Sequence, residues 1–290
     1  PLFSTLRRIV LDELHAIVTS KRGDLLSLGL ARLRSLAPDA TTVGLSATVR
    51  DPDELRGWIA AAPQTAELVV APPGAPAELS ILDAAERLPW TGHSARHALA
   101  DIYAAIRAAR MTLVFVNTRA QAEYTFQELW RINDDSLPIA LHHGSLDAGQ
   151  RRRVEAAMAD GKLRAIVCTS TLDLGIDWGD VDLVINIGAP KGASRLLQRI
   201  GRANHRLDEP SRAILVPANR FETLECRAAV DAAAEGAQDT ANPRPGALDV
   251  LAQHILGSAC AAPFDADALF AEVVSAAPYA DLPRKDFDDA

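Results

Sequence analysis

The stretch from residue 164 to residue 206 constrains the fold more than any other part of the sequence. It reads RAIVCTSTLDLGIDWGDVDLVINIGAPKGASRLLQRIGRANHR. Its two short apolar runs, 165–168 and 181–185, each end in a polar turn, which is the pattern of buried strands in a parallel sheet. In such sheets the functional side chains lie beyond the carboxyl ends of the strands. Those positions hold Thr169, Ser170, Asp173, Gly175 and Asp177, followed by Gln198, Arg199 and Arg202.

The alternation of strands and helices predicts an α/β chain with more than one domain. From residue 113 to residue 216 it is that of a parallel sheet covered by helices. Residues 71–77, APPGAPA, are predicted to be a linker, because four of the seven are Pro or Gly and none is charged. Two amphipathic segments, 247–258 and 265–275, predict short helices, which fit either the start of a winged-helix domain or a plain helical cap.

Composition narrows the class of protein. The 290 residues are 48% hydrophobic, but no run is long enough to cross a bilayer. Three widely spaced cysteines argue against a zinc site or a disulfide framework and favour a cytoplasmic protein. The net charge of −8 arises in the tail, since residues 221–290 carry 4 basic and 13 acidic groups, whereas residues 101–220 carry 16 and 14. The central region is therefore compatible with a nucleic-acid partner.

Two adjacent carboxylates follow the first apolar run. Asp12 and Glu13 come directly after residues 9–11, where a buried strand is predicted to end. Such a pair suits a water-coordinated Mg²⁺ beside a triphosphate, with Glu13 orienting or deprotonating the attacking water. The alternative is a solvated acidic pair at a strand end. A zinc protease is disfavoured because the helical His-Glu-x-x-His spacing is absent.

Three more predicted strands end in polar groups. Residues 42–45 lead to Ser46-Ala47-Thr48, which is either functional or a capping turn. Residues 112–116 lead to Asn117-Thr118-Arg119, where Thr118 and Gln121 make a capping box for a helix. Residues 139–141 lead to His142-His143, which is either a phosphate contact or a satisfied polar turn.

In this order and spacing, the segments resemble the motifs of superfamily 2 DExH-box helicases. The resemblance is closest to the large helicase-related (Lhr) family, in particular its bacterial ligase-associated DNA-damage-response members. Residues 12–15 resemble motif II, 46–48 motif III, 113–119 motif IV, 169–177 motif V and 198–202 motif VI.

The resemblance implies a fold of two RecA-like parallel-sheet domains, the first truncated at its N-terminus, followed by the start of a helical, winged-helix domain. The expected boundaries are 1–72 for the C-terminal part of the first domain, 78–222 for the second and 223–290 for the helical module. It also implies a role for each matching residue. Asp12, Glu13, His15, Gln198 and Arg202 are expected to be catalytic, with Asp12 holding Mg²⁺ through water and Arg202 acting as arginine finger; Gly175, Asp177, Arg199 and Arg206 to bind ATP; Ser46 and Thr48 to couple the sites; and Asn117, Arg119, His143 and Thr169 to bind nucleic acid.

The implied function is an ATP-dependent 3′-to-5′ translocase or helicase that acts on single-stranded DNA, or on DNA with a 3′ tail, in repair. A DNA ligase or nuclease of a repair operon is an expected partner. Because no Met precedes Pro1 and the first residues already run into a strand pattern, we expect the chain to be cut from a longer protein. No glycine-rich Walker A loop occurs in these residues, so the chain is expected to be inactive alone. His205 stands where many members place a second arginine, and Arg206 follows it, so this sequence departs from the family at the position of a second finger. The alternatives are a non-catalytic nucleic-acid- or partner-binding remnant, or an RNA-directed helicase.

Overall fold

The structure is a computed structural model. It describes residues 3–46, 51–71, 75, 77–173, 181–201, 210–236 and 244–290. The chain forms two compact units, Pro1–Ala71 with Thr240–Ala290 and Pro72–Asp239. The domain boundaries derived from the sequence stay a prediction.

Strands and helices alternate along most of the described chain. The strands are β1 (Arg8–Leu11), β2 (Thr41–Gly44), β3 (Glu78–Ile81), β4 (Thr112–Phe115), β5 (Ile139–His142), β6 (Ala165–Cys168), β7 (Leu183–Ile187) and β8 (Arg212–Val216). The helices are α1 (Leu14–Ile17), α2 (Lys21–Leu36), α3 (Pro52–Ile59), α4 (Leu99–Ala108), α5 (Arg119–Arg131), α6 (Ala148–Ala159), α7 (Ala193–Ile200), α8 (Arg220–Ala234), α9 (Leu248–Ala261), α10 (Ala266–Val274) and α11 (Arg284–Asp289).

The second unit is built on a parallel sheet. Among the described residues it has six strands in the order β3-β8-β7-β4-β6-β5. Because side chains alternate across a strand, Leu113 and Phe115 pack against α6, α7 and α8, whereas Val114 and Val116 pack against α4 and α5. Both faces are therefore covered, as predicted, and every strand ends at one edge, here called the carboxyl edge.

Local capping explains where several helices begin. Thr118 and Gln121 form the predicted capping box at α5, with the Gln121 N–H donating to Thr118 Oγ1 at 3.2 Å. Asn219 accepts from two N–H groups at the start of α8. Asp51 caps α3, and Pro52 occupies its first turn, a pattern typical of helix starts. Because α5 follows β4 and α8 follows β8, both helices start at the carboxyl edge.

The first unit packs the start of the chain against its C-terminal helices. Its two-stranded sheet pairs β1 and β2 in parallel. Leu28 and Ala31 of α2 pack against residues of α9, α10 and α11. Asp24 of α2 is fully buried, and its carboxylate accepts from Arg244 Nη2 at 2.7 Å and from the Ala247 N–H at 3.1 Å. Trp58 is buried in the core of this unit.

Two elements differ from the sequence reading. Strand β3 pairs with β8 at the edge of the sheet, but the sequence reading began the sheet only at residue 113. Helix α11 is not predicted from the sequence. It follows α9 and α10, whose ends lie within a few residues of the two predicted helices. Among the described residues, no helix combines the length and the apolar character that crossing a membrane requires.

Candidate nucleotide and nucleic-acid sites

The first candidate site lies where β1 and β2 end side by side. In this parallel pair, the Leu45 N–H donates to Leu11 O at 2.8 Å and the Leu14 N–H donates to Leu45 O at 3.0 Å. These bonds tie the segment after β1 to the segment after β2. The predicted motif II residues and Ser46 are therefore brought together by backbone pairing.

A histidine connects the two segments at this site. His15 Nδ1 lies 3.1 Å from Ser46 Oγ, and His15 Nε2 lies 3.6 Å from Glu13 Oε2. The His15 side chain is only 9% exposed, which restricts the orientations of its ring. His15 thus spans from the predicted catalytic carboxylate to the predicted coupling hydroxyl.

The backbone at Glu13 is unusual. Glu13 has φ 52° and ψ 43°, in the left-handed region that residues with a Cβ rarely adopt. Its N–H donates to Asp12 Oδ1 at 2.8 Å. This conformation turns the chain between β1 and α1, and residues held in sparsely populated backbone regions cluster at functional sites.

The donor set fits Mg²⁺ held through water better than a metal held directly. Among the described residues, no group of three or more His, Cys, Asp or Glu side chains is placed to ligate a metal ion. Mg²⁺ in nucleotide sites uses one or two carboxylates together with waters and phosphates. The exposed Asp12 is suited to that arrangement.

The second candidate site is the carboxyl edge of the six-stranded sheet. Asn117 follows β4, and its Nδ2 donates to Ala189 O, beyond β7, at 3.0 Å. Thr169 follows β6, and its N–H donates to His142 O, at the end of β5, at 3.3 Å. Arg119 is exposed in the first turn of α5. The edge thus brings together the ends of the strands that carry the predicted nucleic-acid residues.

A buried polar cluster lies under this edge, and Arg199 is at its centre. Arg199 is 1% exposed and donates from Nε to Asp173 Oδ1 at 2.9 Å. Its Nη1 donates to Asn186 Oδ1, and its guanidinium lies over the Phe115 ring, 4.7 Å from the centroid. Arg199 therefore contacts protein groups in this structure, and its predicted contact with ATP stays a prediction.

The same cluster extends towards Asn117. Asn186 Nδ2 donates to Gly188 O at 2.7 Å. Gly188 has φ +83°, and a Cβ there would lie 3.0 Å from Asn117 Nδ2. Only glycine suits this backbone and this approach without adjustment of Asn117. The cluster thus links the turn after β7 to the predicted motif IV asparagine.

The paired histidines at the end of β5 are buried. His142 lies between Thr171 Oγ1, 2.9 Å from Nδ1, and Glu155 Oε1, 3.1 Å from Nε2. His143 Nε2 lies 3.4 Å from Glu123 Oε1 without hydrogen-bond alignment, and His143 Nδ1 accepts from the Ser145 N–H. Both histidines are 2% exposed. His142 therefore positions the segment after β6, whereas the predicted nucleic-acid contact of His143 stays a prediction.

Several predicted site residues are not placed by these contacts. Gln198 lies in α7, on the element that carries Arg199. Thr48, Gly175, Asp177, Arg202 and Arg206 lie outside the described residues.

The sequence predicts no role for Asn186, and for His142 it predicts either a phosphate contact or a satisfied polar turn, not the positioning contacts with Thr171 and Glu155. A signal was present for Asn186, because a polar side chain inside the apolar run of β7 must find a buried partner. For His142, the position at the end of a predicted strand was the available signal.

Comparisons with known proteins cover nearly the whole chain. Residues 95–206 match the helicase conserved C-terminal domain, and residues 231–290 match the winged-helix domain of large helicase-related proteins. The Lhr helicase/probable uracil glycosylase of Mycolicibacterium smegmatis is 34% identical over 98% of this chain and 21% of its own length. The ATP-dependent helicase Lhr-Core of Methanothermobacter thermautotrophicus is 34% identical over 98% of this chain and 34% of its own length.

A solved structure is also similar to this chain over nearly its whole length. Mycobacterium smegmatis helicase Lhr, bound to single-stranded DNA and AMP-PNP, superposes with a TM-score of 0.89 and 37% identity, covering 99% of this chain and 38% of that chain. The chain spans about a fifth to a third of the length of these curated relatives. These matches confirm the predicted fold class of RecA-like parallel-sheet domains followed by a winged-helix domain.

Proposed function

We propose that this chain, which belongs to the large helicase-related family of superfamily 2 helicases, is the central part of an ATP-dependent 3′-to-5′ single-stranded-DNA translocase or helicase that acts in DNA repair. The contact of His15 with both Glu13 and Ser46 supports this function most directly. It joins a carboxylate suited to activating water to a hydroxyl on the neighbouring strand end, as coupling of ATP hydrolysis to movement requires.

The residues of the first unit are assigned to hydrolysis. Asp12 would hold Mg²⁺ through water, and the ion would supply neutralisation of charge on the ATP phosphates. Glu13 orients the attacking water and takes its proton. His15 fixes the position of the Glu13 carboxylate and passes its displacement to Ser46, with Thr48 completing the coupling segment.

The residues of the second unit are assigned to binding the nucleic-acid strand and to binding ATP. Asn117, Arg119, His143 and Thr169 hold single-stranded DNA, with Arg119 supplying an exposed cation. Gly175, Asp177, Arg199 and Arg206 serve ATP binding. Gln198 and Arg202 act on the γ-phosphate, where an arginine finger contributes on the order of a thousandfold in rate.

Without a Walker A loop in these residues, the 290-residue chain alone is expected to have negligible ATPase activity. Within the longer protein, the assigned setting is the cytoplasm, with a DNA ligase or nuclease as repair partner. The second and third functions tested against it are a non-catalytic nucleic-acid- or partner-binding remnant and an RNA-directed helicase. A Walker A loop upstream of residue 1 favours the enzyme over the remnant, and strand binding that prefers RNA favours the third function.

Glu13→Gln in the longer protein tests the assignment. The amide keeps the size of the side chain but takes no proton, so ATP hydrolysis should be lost while ATP binding stays largely intact. Asp39→Asn is the matched control, because Asp39 is an exposed acid of the same unit at the opposite end of the strands. Hydrolysis and nucleotide binding are measured separately, by phosphate release and by fluorescent-nucleotide titration. Equal loss of both in Glu13→Gln would make Glu13 a structural residue.

A further inference from the structure

An exposed tryptophan is fixed at the carboxyl edge of the second unit. Trp90 is 63% exposed, yet the segment that carries it is anchored on both sides. Arg220 N donates to Pro89 O at 3.1 Å, and Asn219 Nδ2 donates to Gly92 O at 2.9 Å. The indole is therefore presented to solvent on an ordered backbone.

A second set of contacts places the same segment beside the predicted strand-binding residues. Gln121 Nε2 donates to His93 O at 2.8 Å, and His93 Nδ1 lies 3.2 Å from Glu222 Oε1. Gln121 belongs to the capping box of α5, whose first turn carries Arg119. The segment 89–93 thus lies between the first turns of α5 and α8.

The chemistry around Trp90 favours a nucleic-acid base. The guanidinium of Arg220 lies over the indole, 4.2 Å from the ring centroid. Phe221 and Leu224 follow Arg220 in the first turns of α8, and their side chains are 62% and 72% exposed. Aromatic rings and arginine planes are the groups on which unstacked bases stack, independently of sequence, and the cations of this surface match the charge of a phosphate backbone.

We propose that Trp90, supported by Arg220, is a stacking platform for a base of single-stranded nucleic acid that leaves the Arg119 region. This inference rests on the proposed function. The platform supplies a contact with a base in addition to the proposed contacts with phosphates. The base is then the ligand of the exposed indole.

The test is binding of fluorescent oligo-dT to the 290-residue chain at several salt concentrations. Trp90→Ala should weaken binding by about fivefold to a hundredfold, the range found when a base-stacking aromatic is removed. The factor should be the same at every salt concentration, because no phosphate contact is lost. Trp90→Phe should keep most of the affinity.

Trp130→Ala is the matched control. Trp130 is also exposed, at 57%, and also stacked, on Phe126, but it lies in the last turn of α5, at the opposite edge of the sheet. Its removal should leave affinity unchanged. A second arm uses a strand of the same length with abasic sugars in place of every thymidine, on which wild type and Trp90→Ala should bind equally.

The outcomes separate the two levels of inference. If wild type binds oligo-dT and Trp90→Ala binds equally well, the platform is overturned while the proposed function stands. An equal loss on the abasic strand, or a change in oligomeric state without a change in DNA affinity, also overturns it. If wild type binds no single strand, both the platform and the proposed function fail.

Discussion

Replacing Arg199 by alanine tests whether the buried cluster under the carboxyl edge stabilises the second unit. The substitution removes the 2.9 Å bond to Asp173 and the bond to Asn186, both from a side chain that is 1% exposed. It also removes a cation from the face of Phe115. Strand β4, strand β7 and the segment after β6 thus lose a shared partner.

The expected loss in the free energy of unfolding follows from burial and from what remains. Breaking a buried ion pair by removing one partner costs about 3–5 kcal/mol, because a buried charge loses its compensation. Arg195 Nε stays 3.5 Å from the other oxygen of Asp173, so the low end, about 3 kcal/mol, is expected here. Arg195→Ala, which removes a side chain that is 43% exposed, should cost no more than about 1 kcal/mol.

The assay is urea unfolding followed by circular dichroism on wild type, both single variants and Arg199→Ala/Asp173→Ala. The double variant should recover part of the loss, since the carboxylate is removed with its partner. Native-state hydrogen exchange of β6 and β7 assigns the change to the second unit. A loss below about 1 kcal/mol for Arg199→Ala would refute the stabilising role. If ATP affinity then fell in the longer protein, the predicted contact of Arg199 with ATP would be supported.

Two further predictions concern side chains whose surroundings are clear. Burial raises the pKa of the Cys168 thiol and raises that of Cys226 to about 12, whereas Cys260 is exposed. Near neutral pH, maleimide should therefore modify only Cys260 in the folded chain and all three cysteines in urea. Mass spectrometry of the labelled chain measures this, and rapid labelling of Cys168 in the folded chain would contradict its buried position. Arg119→Ala should weaken single-strand binding equally for all base sequences and lower the log-log salt slope by about 0.7, the value for one phosphate of a single strand. Arg131→Ala, on the last turn of the same helix, should leave the slope unchanged, and an unchanged slope for Arg119→Ala would exclude it from the strand contact.

Local signals were readable from the sequence. The capping box of Thr118 and Gln121, and the Asp51 cap, depend on residues within three positions of each other. The strand ends that carry Asp12, Asn117 and Thr169 were found because short apolar runs give way to polar residues at those points.

Burial of polar side chains was not readable in the same way. Arg199 lies in a segment whose arginines are predicted to contact ATP phosphates. Only the fold shows that Asp173 and Asn186, which are 26 and 13 residues away in the sequence, enclose its side chain. His143 is similar, since its burial depends on α5 and on the turn after β5. Strand β3 is not predicted from the sequence because it is four residues long, lies at the sheet edge and is only partly buried.

The pairing of Asp24 with Arg244 has a consequence for synthesis of the chain. These residues are 220 positions apart, and α2 buries Leu28 and Ala31 against helices that follow Arg244. At about 5–20 residues per second, a ribosome needs roughly 10–45 s to make the intervening chain. During that interval Leu28 and Ala31 lack the native cover that α9, α10 and α11 provide, whereas the described strands of the second unit's sheet lie between residues 78 and 216 and can pair earlier. Of the two units, the first therefore exposes apolar side chains of its core for longer during synthesis and completes that core later.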